Sequence, residues 1–272
     1  MLGADSTTTI QVENDSHTDG SLRHFNYGQK IFEIGNPGSL ALVNWGLATL
    51  NALSYRTLVA RLTDLIEAQP PRSVAEVAQI WRDAFEIVYG DDEAVKFARD
   101  LNAKQKRTEH EEALYKDLLQ NLEGGFCIAG SLADRIPAAS EITFHPVTGV
   151  AEPRPIVAGP ARFWGVPSIM YRVLFGIDED LIEDLLDSPH WTGGAKELRK
   201  LVGNYSLGQA ANLPLREAID FVYASIYTTI QGLKFSHHAP ICGGPIEIAA
   251  ITADRPFRWI RHKRLPEAIP FA

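Results

Sequence analysis

The sequence predicts an α+β fold, in which strands and helices occupy separate runs of the chain instead of alternating. Three observations point to it. Short runs that alternate or are wholly apolar cluster at 30–44, 126–130, 141–145 and 245–262. Stretches with a 3.6-residue apolar period lie at 47–68, 73–89 and 215–233. No repeat and no linker interrupts the 272 residues, a length that fits one large domain or two small ones.

The elements follow in order. The first residues alternate as a strand, and 11–28 (QVENDSHTDGSLRHFNYG) are polar and turn-rich, which reads as a loop. Lys30-Ile31-Phe32-Glu33-Ile34 alternates again, Gly35-Asn36-Pro37-Gly38 is a turn, and 39–44 (SLALVN) suits a buried strand. After Trp45-Gly46 the period changes. Leu47, Leu50, Leu58, Leu62 and Leu65 argue for a helix up to Ala68, which Pro70-Pro71 ends. Ser73-Val74-Ala75-Glu76 is a capping-box start, and Val77, Ile80, Trp81, Ala84 and Val88 give that helix one apolar face.

Residues 91–123 are densely charged and read as a solvated helix or helix pair that stops at Gly124-Gly125. Strands are expected at 126–130, 141–145 and 161–166, with a helix opening at Pro167-Ser168. Residues 176–212 read as irregular and partly acidic. Leu215, Ile219, Val222, Ile226, Ile230 and Leu233 form one stripe, expected to lie on a sheet face. Two alternating runs, 245–251 and 257–262, joined by Thr252-Ala253-Asp254-Arg255, are a hairpin signal.

Composition removes several classes of function. Lys and Arg number 26 against 34 Asp and Glu, a net charge of −8, so neither nucleic acid nor an anionic membrane is an expected partner. No segment approaches 18 uninterrupted apolar residues, and MLGADSTTTI lacks the basic flank and apolar run of a secretory signal. A cytoplasmic location is expected. Cys127 and Cys242 make no metal or disulfide pattern and read as reduced thiols. Asn36-Pro37-Gly38 lacks the spacing of a phosphate loop. In His237-His238, neighbours on a strand would face opposite ways, and no nucleophile elbow is present. No cofactor and no metal are implied.

One ordered set of residues remains. Leu2-Gly3-Ala4-Asp5-Ser6-Thr7-Thr8-Thr9 is followed by Lys30-Ile31-Phe32-Glu33-Ile34, then by a strand into Trp45-Gly46 and a helix. Far downstream, Cys242-Gly243-Gly244-Pro245 precedes the closing hairpin. The set resembles the proteasome β-subunit family of the N-terminal nucleophile (Ntn) hydrolases, in its bacterial type. It spans nearly the whole chain except 176–212, which becomes an inserted segment. The resemblance implies a four-layer α-β-β-α sandwich, a homo-oligomer, and a threonine-type peptidase of intracellular protein breakdown. Peptide would be its substrate, and an ATPase partner is left open.

By the same resemblance, Asp5 and Lys30 stand where an aspartate pairs with a lysine beside the nucleophile. An ammonium there depresses the pKa of the proton acceptor. Gly46, or its neighbour Trp45, matches the position whose N–H faces the developing oxyanion, with Trp45 also against substrate. Thr9 matches a position whose backbone pairs with an extended peptide. The departures are as specific. The family's nucleophile is a threonine whose own α-amine is the base, on a strand one hairpin before the Ala-Asp-Ser strand. Met1 stands inside that second strand, so nucleophile and strand are expected to be missing from this chain, with the reading frame continuing upstream. Val166 replaces a serine, Ala239 an aspartate and Cys242 the serine of Ser-Gly-Gly. Three readings follow: a peptidase, favoured by Asp5 and Lys30; a non-catalytic structural subunit of a ring or helical oligomer, favoured by Val166 and Ala239; and, last, a monomeric binding protein, which the family's burial of helix faces between subunits disfavours. As it stands, the chain is expected to hydrolyse no peptide.

Overall fold

Backbone pairing turns the alternating runs into three sheets. A computed structural model describes residues 1–14, 17–35, 38–50, 53–208, 212–237 and 239–264, with the backbone alone described at 10–14 and 17–23. The chain divides into two compact units: Met1–Ala158 with Gly244–Ala272, and Gly159–Gly243. The first unit carries β1 (Leu2–Ala4), β2 (Thr8–Asn14), β3 (His17–Phe25), β4 (Ile31–Ile34) and β5 (Leu40–Gly46). It continues through α1 (Tyr55–Ala68), α2 (Val74–Asp91), α3 (Glu93–Ala103) and α4 (Glu109–Leu122). Then come β6 (Gly124–Gly130), β7 (Ala138–His145), β8 (Gly149–Val150) and β9 (Arg154–Pro155). The second unit holds α5 (Ser168–Phe175), α6 (Glu179–Asp187), α7 (Ala195–Gly203) and α8 (Leu215–Lys234). The first unit closes with β10 (Glu247–Thr252) and β11 (Arg255–Arg261). The fold is α+β.

In the first unit the main sheet runs β4-β5-β6-β7-β8, with β9 also on β7, and every pair is antiparallel. Period two sorts its side chains between two cores. Leu40 and Leu42 of β5, with Phe126 and Ile128 of β6, face α1, α2 and α3 in the larger core. Ala41 and Val43 face the other way, with Ile31, onto Ala4, Ala249 and Phe257 of the second sheet, β1-β10-β11. The unit therefore stacks helix on sheet on sheet. Among the described residues of this unit, no helix forms the fourth layer of the expected sandwich. Local chemistry agrees with the packing: Ser73 caps α2 by accepting from the Glu76 N–H, and Thr108 and Glu111 form a full capping box on α4.

Several expectations change. Residues 11–28 are not simply a loop, because most of them form the antiparallel hairpin β2-β3. Its ladder is made by backbone groups, which a polar composition does not disclose. The expected strand at 161–166 does not form. Pro160 and Pro167 flank the run, and Gly165 turns it at φ 78°. Residues 176–212 are not irregular, since they contain α6 and α7. The helix expected from Leu47 starts only at Tyr55, where Ser54 accepts from the Thr57 N–H; Leu47 and Leu50 are buried outside it. On α8 the buried positions are Ser225, Thr229 and Leu233, while Ile219, Val222, Ile226 and Ile230 are half-buried. The expected turn at 35–38 includes Asn36 and Pro37, which lie outside the described residues.

Candidate functional site

Asp5 follows the last residue of β1, and Lys30 precedes the first residue of β4. The two strands thus deliver two residues, 25 apart in sequence, to one place. Lys30 Nζ lies 2.6 Å from Asp5 Oδ1, with side chains 21% and 11% exposed. The other carboxylate oxygen, Oδ2, accepts from the Thr7 N–H at 3.1 Å. A turn at 26–28 backs this loop: Thr7 Oγ1 donates to Asn26 Oδ1 at 2.9 Å, and the Gly28 N–H donates to the Ser6 carbonyl at 2.8 Å. A Cβ at Gly28 would stand 2.3 Å from Thr8 Oγ1 and 3.3 Å from the Ser6 carbonyl oxygen, so any side chain there would have to displace Thr8. The Asn44 N–H donates to the Lys30 carbonyl at 3.0 Å, anchoring the lysine to β5.

The remaining candidate residues lie on β5, on β2 and in the second unit. Gly46 ends β5 opposite Gly124 with φ +80°, and a Cβ would meet the Glu123 carbonyl at 2.2 Å, so close strand approach explains this glycine. The Trp45 ring occupies the space above Gly125, where a Cβ would be 2.3 Å from it. Thr9 is in register with His24 of β3, and its Oγ1 lies 3.0 Å from His24 Nδ1. Val166, Ala239 and Cys242 belong to the second unit. Val166 donates its N–H to Trp164 in a tight turn, Ala239 is exposed, and Cys242 is half-buried. Among these candidates, Asp5 and Lys30 are in direct contact.

Burial pushes the Cys127 thiol up to about 12, with Glu141 adding in the same direction, so it stays a thiol at neutral pH. Burial also raises the phenols of Tyr55 and Tyr89, whose hydroxyls donate to the Leu47 and Leu122 carbonyls. Among the described residues no group of three His, Cys, Asp or Glu could hold a metal ion. His237 is exposed, and His238 lies outside the described residues. No described helix is long and apolar enough to cross a membrane.

One cluster escaped the reading of the sequence. Glu247, wholly buried at the start of β10, lies 2.9 Å from Lys263 Nζ through Oε2 and 2.6 Å from His262 Nδ1 through Oε1. The His262 contact is close, but it is not aligned as a hydrogen bond. The only sequence signal was a single acid inside the apolar run Pro245-Ile246-Glu247-Ile248. Its partners, next to Arg261 and Arg264, look like an ordinary solvated cluster.

No family model matches the chain, and no curated protein matches it. Among solved structures it is similar to Anbu (ancestral beta-subunit) from Yersinia bercovieri, with a TM-score of 0.40 and 12% identity over 95% of this chain and 81% of that one. It is also similar to Anbu from Hyphomicrobium sp. strain MC1, with a TM-score of 0.34 and 14% identity over 96% and 81%. Likenesses this distant carry no argument about activity. The expected membership of the bacterial-type proteasome β-subunit family, as a member lacking its first strand and nucleophile, is therefore corrected. No family model supports it, and the structural neighbours are ancestral β-subunit proteins that match only weakly.

Proposed function

We propose that the chain is a proteasome-like structural subunit of a self-associating assembly, with Asp5 and Lys30 acting as a clasp. The observation that carries this is the closure of the charged pair on its own chain. One oxygen of Asp5 holds the Lys30 ammonium at 2.6 Å and the other holds the Thr7 amide at 3.1 Å. A lysine that assists catalysis must present its charge to a reacting group. Here the neighbouring hydroxyl of Thr7 is itself engaged by Asn26. Self-association is supported by Ile87 of α2 and Phe97 of α3, which are 69% and 44% exposed on helices whose other faces are buried. The four-layer sandwich, one domain over 1–272 with 176–212 inserted, and a cytoplasmic location all belong to this reading.

A second reading keeps the pair catalytic. A partly buried ammonium lowers the pKa of an adjacent proton acceptor, which suits cleavage of peptide amide bonds without a cofactor. The proximity of Lys30 and Asp5 favours it. Fluorogenic peptide amides and light scattering separate the two. The structural reading expects no turnover above buffer and a mass that is a multiple of 30.0 kDa. Turnover lost in Lys30→Ala would establish the peptidase, whereas a 30.0 kDa species at micromolar concentration would overturn the assembly.

A further inference from the structure

We infer that Glu247 and Lys263 form a second buried ion pair whose role is to position the Asp5–Lys30 clasp. The inference stands on geometry and holds whichever function the clasp serves. Glu247 is directly opposite Ala4 in the β1–β10 register, one residue before Asp5. Its carboxylate is wholly buried and the Lys263 side chain is 7% exposed, so each needs the other: an uncompensated buried charge is strongly destabilising. The same ammonium also donates to the Gly28 carbonyl at 3.0 Å.

Gly28 is the joint between the two pairs. Its carbonyl is held by Lys263 and its N–H by the Ser6 carbonyl, immediately after Asp5. Two residues earlier, Asn26 takes the Thr7 hydroxyl. The Asn26 backbone also passes so close to Gly244 that a Cβ on Gly244 would meet its carbonyl at 2.5 Å. A continuous path therefore runs from Glu247 through Lys263 to the 26–28 turn, then into Ser6, Asp5 and Lys30. Lys263 and Gly28 are 235 residues apart, so this restraint exists only when the closing hairpin and the first loop have docked. Lys263 is a positioning residue: it sets the turn, and the turn sets the loop that carries Asp5.

Lys263→Met in the full chain tests the assignment by two local readouts, the rate of Lys30 acylation by acetic anhydride and amide hydrogen exchange at Thr7 and Gly28. Both are expected to rise, on the order of tenfold, as the lost hydrogen bond and ion pair loosen the turn. Exchange at Leu42 and Ile128, in the core of the main sheet, is expected to stay unchanged, which a purely structural loss would not allow. The double variant Glu247→Gln with Lys263→Met removes both charges and gives the same readout if the single variant does not fold. Unchanged Lys30 acylation in a folded variant would overturn the inference.

Discussion

The helical core of the first unit and the small core of the second are built on different scales. In the first, Phe126 sits among Tyr55, Trp81, Phe85 and Phe144 with ring centroids 5.7, 5.1, 4.6 and 5.3 Å away. These rings come from α1, α2, β6 and β7, so the cluster is a long-range object. The second unit buries Ile177, Ile182 and Leu198, with Leu185, Leu186, Trp191 and Val202 packed against them. It also buries Met170, Leu174 and Leu233, and polar contacts flank α6. Asp178 caps α6 through the Leu181 N–H at 2.9 Å and pairs with Arg172 at 2.6 Å, while Arg199 grips Glu179 through two contacts of 3.0 Å. Both units remove apolar surface from water, the first around one large aromatic cluster and the second around smaller groups of side chains.

The contrast can be broken by three substitutions, each read as a shift of the urea midpoint at unchanged slope. Phe126→Ala should have the largest effect, about 3–5 kcal/mol, because four rings lose a common partner. A loss near that of a surface site would mean that the aromatic cluster does not govern the first unit. Ile182→Ala should cost about 2–3 kcal/mol, the lower part of the range for buried isoleucine, since few neighbours surround the cavity. An effect equal to that of Phe126→Ala would erase the distinction between the units. Ile226→Ala should be the smallest, about 1 kcal/mol, because the side chain is only half-buried on α8. A loss of several kcal/mol would restore the expectation that this stripe lies on a sheet face.

Legibility in the sequence followed the range of the interactions. The N-cap at Ser73 and the hairpin around Ala253 and Asp254 could be read because their causes lie within a few residues, although Glu76 reaches back to the Arg72 N–H and leaves the expected capping box half-made. So could α2 itself, although of its expected face only Val77 and Trp81 are buried, with Phe85 and Tyr89 buried where Ile80, Ala84 and Val88 are half-buried. The β2-β3 ribbon could not, since polar strands have no apolar alternation to announce them. The strand expected at 161–166 failed for the opposite reason: its composition suits a strand, but Gly165 turns the run at φ 78° between Pro160 and Pro167. At the candidate site, Asp5 and Lys30 were legible only as members of an ordered set, and Glu247 and Lys263 were not legible at all.

By itself the sequence determined the α+β class, the separation of strand runs from helix runs, and the starts of α2, α5 and α8. These depend on periodicity and on caps, which are local. Tertiary structure alone decided which strands share a sheet, which face of α8 is covered, and which charges meet. Lys263 reaches Gly28 across 235 residues, and Lys30 reaches Asp5 across 25. No spacing along the chain encodes such a meeting. It arises because β1, β4 and β10 pack around Ala4, Ile31 and Ala249, and the charged residues at their ends are carried together with them.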